Sequence, residues 1–163
     1  MNLSSEKKRV LFLCTHNSAR SQMAEGLLRY LRGSDLEVYS AGIVATQVRP
    51  EAIEVMREIG IDISHQISKK LNDFISKPFD YVITVCDSAN ESCPFFPNAL
   101  NRWHWSIDDP AEVQGSEADR LRAFRKARDE LRGRIEGQNW LQQSGHPETW
   151  MNEFPFGRTP GDP

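Results

Sequence analysis

Apolar residues in this chain recur with two alternating periods. Residues 10–13 (VLFL) form a short aliphatic and aromatic run that reads as a buried strand. From about Ser21 the apolar positions switch to helical spacing, at Met23, Ala24, Leu27, Leu28 and Leu31, predicting a helix over 21–32 closed by Gly33. Residues 36–41 (LEVYSA) read as a second strand ended by Gly42, and 43–49 as a loop. Pro50 occupies the first-turn position that proline prefers, and Ile53, Met56 and Ile59 run from it to a stop at Gly60. Residues 61–68 are irregular, and 70–76 suggest a short helix before Pro78. The run YVITV at 81–85 is a third strand leading straight into Cys86. Residues 87–97 (DSANESCPFFP) carry no period and read as a loop or a weakly held helical turn. Residues 103–107 alternate as a fourth strand, ended by Asp108-Asp109-Pro110. The longest helix is expected over 116–135, capped by Ser116, with Ala118, Leu121, Phe124, Leu131 and Ile135 on one face.

Strands alternating with helices predict an α/β protein with a parallel sheet covered on both faces. Right-handed crossovers then gather the strand C-termini on one edge. Cys14, Cys86 and Asp109 each follow a predicted strand directly, so three separate stretches bring reactive groups to a common rim.

Composition narrows the function classes. The chain has 163 residues, enough for one domain with a real core, and 39% hydrophobic against 26% charged residues, as in an ordinary globular protein. A net charge of −3 favours neither nucleic acid nor an anionic membrane as partner. The basic residues of the long helix interleave with acids and read as a solvated face. No apolar run approaches a membrane span, and no apolar segment of signal-peptide length precedes Cys14, so a cytoplasmic protein is expected. Three cysteines, in a chain that needs no staples, favour catalytic or redox thiols. Cys86 and Cys93 lack the spacing of a zinc knuckle, so no metal centre is expected. After Ser144 the pattern is lost. The stretch GHPETWMNEFPFGRTPGDP holds four prolines, three glycines and the aromatics Trp150, Phe154 and Phe156, and reads as a tail that packs on something. Residues 1–143 are thus taken as the domain and 144–163 as an extension.

Between the first strand and helix, Cys14 and Arg20 enclose five small or polar residues. A loop leaving a strand for a helix N-terminus turns backbone N–H groups inward, at the positive end of the helix dipole. Such a cradle, with Arg20, would bind a tetrahedral oxyanion and stabilise a Cys14 thiolate at its rim. A structural cysteine and a surface arginine would explain the pair singly. The strand before, the helix after and the polar loop between them favour the cradle. No Gly-Lys-Ser/Thr follows, so this is not a nucleotide P-loop. A thiolate so placed suits attack on the central atom of a phosphate-like group. Asp109 is the candidate general acid, with Asp108 its rival. Two chemistries fit. A phosphatase needs Cys14, Arg20 and Asp109; a reductase also needs thiols to carry electrons away, which Cys86 and Cys93 could do by thiol–disulfide exchange. A non-enzymatic oxyanion-sensing module is a third reading.

The stretch Cys14-Thr15-His16-Asn17-Ser18-Ala19-Arg20-Ser21 resembles the phosphate-binding loop of the low-molecular-weight protein tyrosine phosphatases, and more closely that of their relatives, the thioredoxin-coupled arsenate reductases. Those carry a second cysteine after the third strand, a third seven residues on, and an Asp-Pro acid loop, here Cys86, Cys93 and Asp109-Pro110. SQMAEG, YSAGI, GIDIS and DDPA are similar too, and the likeness covers roughly residues 9–135. It implies a flavodoxin-like three-layer sandwich on a four-stranded parallel sheet. It implies that residues 15–21 bind substrate, that Cys14 attacks arsenate, and that Asp109 protonates the leaving oxygen. Cys86 then releases arsenite by forming a disulfide with Cys14, and Cys93 takes that disulfide over for reduction by thioredoxin. Ser21 would hydrogen-bond the Cys14 thiolate, and Asn17 would fix the loop. No bound cofactor is implied, thioredoxin is the external electron donor, and a monomer is expected. Three departures stand out. Ala111 replaces the tyrosine usual after Asp-Pro in the phosphatases. Ala19 replaces a cysteine that many relatives carry before the loop arginine. Some of these reductases hold potassium with Asn, Glu, Ser and Asp; Asn17, Glu25 and Ser40 match, but Lys69 stands at the Asp position, which suggests its ammonium in place of the ion.

Overall fold

The computed structural model describes residues 7–87, 89 and 99–140. Cys93 and the 144–163 extension lie outside them. Four strands form one all-parallel sheet: β1 (Lys8–Cys14), β2 (Leu36–Gly42), β3 (Phe79–Thr84) and β4 (Ala99–His104), in the order β2-β1-β3-β4. Helices α1 (Arg20–Arg32), α2 (Pro50–Glu58) and α3 (Glu117–Glu136) complete the α/β architecture. Val10 to Cys14 are all buried, because β1 is central and covered on both faces. Its continuous apolar run, rather than an alternating one, has this cause.

Side-chain alternation assigns the faces. Ser40 reaches Glu25 on α1, and Tyr81 and Trp103 pack with Trp140, which follows α3. These residues point to one side of the sheet, under α1 and α3. Tyr39 points to the other side, where it meets Phe74. The Tyr81 hydroxyl donates to the Trp140 carbonyl at 2.7 Å, and burial pushes its pKa up to about 12. The Ser116 cap is present as a full capping box with Asp119.

Two predicted elements differ. The fourth strand is Ala99–His104, not 103–107. Trp103, Trp105 and Ile107 are buried as their alternation indicates, but β3 ends at Thr84 and offers no ladder beyond the bond from Trp105 N–H to the Thr84 carbonyl. The strand begins earlier, at Ala99, outside the alternating run, because an edge strand is held by its backbone; Asn101 adds a bond from Nδ2 to the Asp80 carbonyl. The helix expected at 70–76 is only a 3-10 turn, Leu71–Asp73. Lys70 is drawn into an extended bridge with Gly42, which leaves too little chain for a longer helix.

Helices α2 and α3 are joined through Glu58. Arg125 donates to both of its oxygens and Arg128 Nη1 to one, at 2.8–3.1 Å. Arg128 Nη1 also closes the Val55 carbonyl at 2.8 Å. The Arg125 hydrogen bonds hold the Glu58 carboxyl below its ordinary 4.5. Its stabilising contribution is therefore complete above that value and lost as pH falls through the lower native one. Glu58→Gln should lower the urea midpoint at neutral pH, and the gap from wild type should close on acidification below 4.5; denaturant titrations across pH check this.

Candidate active site

Strand order reverses direction between β1 and β3: the chain crosses from β1 to β2 on one side and returns to β3 on the other. That crevice is where a doubly wound sheet binds ligands. Cys14 ends β1, and Cys86 lies two residues past the end of β3, so both predicted thiols flank it. Val85 N–H donates to the Leu13 carbonyl at 2.8 Å and holds the two strand ends together.

The loop from Cys14 to Arg20 turns its carbonyls outward. Those of Cys14, Thr15 and Ser18 accept from the N–H groups of Ile43, Val44 and Arg49 at 2.9–3.2 Å. The His16 carbonyl accepts from the hydroxyls of Thr46 and Ser68, and that of Asn17 from Gln22 Nε2. The N–H groups of residues 15–19 meet no protein acceptor among the described residues. They converge, with the N-terminus of α1, on the concave side, which makes an anion-binding nest. Asn17 sits at φ 51°, a left-handed conformation that asparagine tolerates. Gly42 is required beside it, because a Cβ there would lie 2.6 Å from Asn17 N and 2.9 Å from the His16 carbonyl carbon.

Asn17 is fully buried, and its amide orientation is fixed. Its Oδ1 accepts from Gln22 Nε2 and from Lys69 N–H, both at 2.8 Å. Its Nδ2 must then donate, to Ser21 Oγ at 2.8 Å and Ser40 Oγ at 2.9 Å. Ser21 Oγ lies 2.8 Å from Cys14 Sγ, and toward a Cys14 thiolate, which has no hydrogen to give, the hydroxyl is the donor. Ser40 passes its own hydrogen to Glu25 Oε1. The buried Glu25 carboxylate is balanced by Arg29 at 2.6 Å and Lys69 at 3.6 Å.

Arg20, Asp109 and Cys14 line one cavity of about 490 Å³ with His16, Ser18, Ala19, Thr46, Gln47, Val48, Arg49, Pro50, Ala111 and Glu112. Arg20 is buried, donates from Nη1 to the Ile107 carbonyl at 3.0 Å and places Nη2 3.4 Å from Asp109 Oδ2. Asp109 Oδ1 accepts from Ala111 N–H at 2.9 Å, which aims the carboxylate at the cavity. Asp108 is exposed and does not line the cavity, so Asp109 is the better placed of the two acids. Cys86 is buried beside the loop; its Sγ lies 3.2 Å from Thr15 Oγ1 and accepts from Ala89 N–H at 3.3 Å. Among the described residues no cluster could hold a metal ion, and no helix is long and apolar enough to cross a membrane.

Sequence reasoning did not find Gln22, Gly42, the Lys69 N–H or Arg49. Gln22 left a signal, a polar residue among the buried positions of α1. The others act from stretches distant in sequence: Gly42 from the end of β2, Arg49 and Lys69 from loops.

The family model for low molecular weight phosphotyrosine protein phosphatase matches residues 9–144. The arsenate reductase of Bacillus subtilis strain 168 is 45% identical over 130 residues, covering 80% of this chain and 94% of that protein. A solved arsenate reductase in its phosphate-binding state superposes with a TM-score of 0.70 at 35% identity, covering 80% of this chain and 95% of that one. A thioredoxin-dependent arsenate reductase of Corynebacterium glutamicum superposes at 0.65 with 32% identity; 83% of this chain is covered and 61% of that longer one.

Asn17→Asp keeps the shape of the side chain but replaces two donors with acceptors facing Ser21 and Ser40. The variant should bind inorganic phosphate at least about tenfold more weakly and lose about 1–3 kcal/mol of stability, the cost of unsatisfied buried polar groups. Calorimetric titration and chemical denaturation measure the two effects; unchanged phosphate affinity would contradict the cradle.

Proposed function

Because this chain belongs to the low molecular weight phosphotyrosine protein phosphatase family, we propose that it uses that fold to reduce arsenate to arsenite. The observation that carries this reading is the second thiol. Cys86 Sγ is held by the hydroxyl of Thr15, the residue next to Cys14, at the edge of the oxyanion seat. A hydrolase needs one thiol there; a reductase needs a neighbour to receive the disulfide. Relatives at about 45% identity bear the name arsenate reductase, which agrees with it.

Arsenate is held by the loop N–H groups and the Arg20 guanidinium. The Cys14 thiolate attacks arsenic, an arsenic–oxygen bond breaks, and Asp109 gives its proton to the departing oxygen, which leaves as water. The Cys86 thiolate then attacks the Cys14 sulfur. A sulfur–sulfur bond forms, the sulfur–arsenic pair stays on arsenic, and As(V) departs as As(III). Two thiols have supplied the two electrons. Cys93 next attacks Cys86, frees the Cys14 thiolate and leaves a Cys86–Cys93 disulfide, which thioredoxin reduces. The role of Cys93 rests on its place in the sequence. Residues 1–143 form the reductase domain, acting as a cytoplasmic monomer.

A phosphatase reading uses the same first step, with water resolving the adduct. Ala111 stands after Asp109-Pro110, and among the described residues that line the cavity there is no Phe, Tyr or Trp to stack on a substrate ring. A passive oxyanion-binding module would leave all thiols reduced when arsenate is added.

Lys69 stands in for a monovalent cation. Its Nζ donates to the Ile67 carbonyl at 2.6 Å and lies 3.6 Å from Glu25 Oε1. Burial holds the ammonium below the ordinary lysine range, partly offset by the attraction of Glu25. It supplies, beside Asn17 and Ser40, the positive charge that an ion would bring.

Purified protein should turn over arsenate with thioredoxin and thioredoxin reductase, and much more slowly with glutaredoxin and glutathione. Cys93→Ser should release one arsenite per molecule and then stop, a loss of at least about a hundredfold in sustained rate; full turnover in this variant would remove the relay. Rates in potassium and sodium chloride at equal ionic strength should match, whereas strong activation by potassium would contradict the Lys69 assignment.

A further inference from the structure

The cavity is far larger than one arsenate ion, and its outer wall carries a second arginine that the mechanism above leaves unused. The Nε atoms of Arg20 and Arg49 are both buried without a hydrogen-bond acceptor, and both residues line this cavity. Arg20 is the inner of the two, at the start of α1. Arg49 is tied to the same loop by its backbone, since its N–H donates to the Ser18 carbonyl at 2.9 Å. Its own carbonyl accepts from Ile53 N–H in the first turn of α2, and Pro50 follows it. The base of the side chain is therefore pinned on both sides at a set distance from the cradle.

The charge of Arg49 is only partly offset. Glu51 Oε1 lies 3.9 Å from its Nε, too far for a hydrogen bond, and Glu51 Oε2 faces Arg120 Nε at 3.5 Å. One carboxylate is thus shared between two guanidinium groups. The acids on the cavity wall are Asp109, already opposite Arg20, and Glu112, which is exposed. A cleft with a cation at its mouth and another at its base draws in dianions along a gradient.

We infer that Arg49 is a second oxyanion-binding arginine, the outer station that receives a tetrahedral dianion before Arg20 and the loop N–H groups take it. This role suits an inorganic dianion such as arsenate or phosphate. It also favours release, because arsenite is uncharged at neutral pH and gains nothing from either arginine. For arsenate the inference rests on the reductase reading; for phosphate it stands alone.

The test is a calorimetric titration of inorganic phosphate into wild type, Arg49→Gln, Arg49→Lys and Glu51→Gln at low and high salt, alongside arsenate kinetics. Arg49→Gln should weaken phosphate about tenfold at low salt and flatten the salt dependence, as loss of a rim charge does. Arg49→Lys should recover part of the loss. Glu51→Gln, which removes the competing carboxylate, should tighten phosphate, a gain that no folding defect produces. In the arsenate assay KM should carry the loss rather than kcat. Phosphate affinity within about twofold of wild type in both Arg49→Gln and Glu51→Gln overturns the inference, since a removed rim charge leaves a larger effect. If phosphate behaves as expected but wild type reduces no arsenate, the reductase reading fails and the outer station stands.

Discussion

Five successive carbonyls, from Cys14 to Ser18, face away from the cavity, and the rest of the site depends on this. A peptide that points its oxygen outward points its N–H the other way across the same plane. Holding five in a row demands partners from three other stretches: residues 43–49, Gln22 on α1, and Ser68. Asn17 is the keystone. Its backbone takes the left-handed turn that curls the loop, and its side chain joins α1, β2 and the segment before Lys70. Only one orientation of its amide satisfies every neighbour, and that orientation donates to Ser21 Oγ, whose hydroxyl can then serve a Cys14 thiolate.

A buried polar network stabilises a fold only when each member is satisfied. Here it is nearly complete. Glu25 receives Ser40, Arg29 and Lys69, and Gln22 receives Gln66 at 2.7 Å. Among the described residues, donors left over at the cavity include the loop N–H groups and two arginine Nε atoms. Unsatisfied polarity is concentrated where an oxyanion would supply the acceptors. The apolar core beneath, Phe12, Leu13 and Ile83, keeps this arrangement rigid. The same sheet brings Cys86 to the seat, because β1 and β3 are neighbours although their sequences are far apart.

The β1–loop–α1 unit was legible in the sequence because the apolar period changes there from continuous to helical, with a polar gap between. Asp109 was legible from its place before Pro110, though only the cavity separates it from Asp108. The fourth strand was misplaced because burial of Trp105 and Ile107 looks the same whether or not a neighbour continues the ladder. Gly42 and Arg49 gave no local sign; their meaning comes from His16 and Ser18 lying across them in space. Lys69 was read from likeness, and its Nζ lies 3.6 Å from Glu25 Oε1. Cys93 lies outside the described residues, so its part in the relay still rests on sequence.

One oxyanion seat serves two chemistries, and the fate of the sulfur–arsenic adduct decides between them. If water resolves it, no electrons move. If Cys86 resolves it, arsenic leaves reduced and a disulfide stays behind. The direct measurement is disulfide mapping by mass spectrometry on fully reduced protein given one equivalent of arsenate with no external reductant. The account predicts one arsenite released per molecule and a disulfide joining Cys86 to Cys93. Arsenate recovered unchanged, with Cys14, Cys86 and Cys93 all still free, would contradict it and leave the protein a hydrolase or a binder.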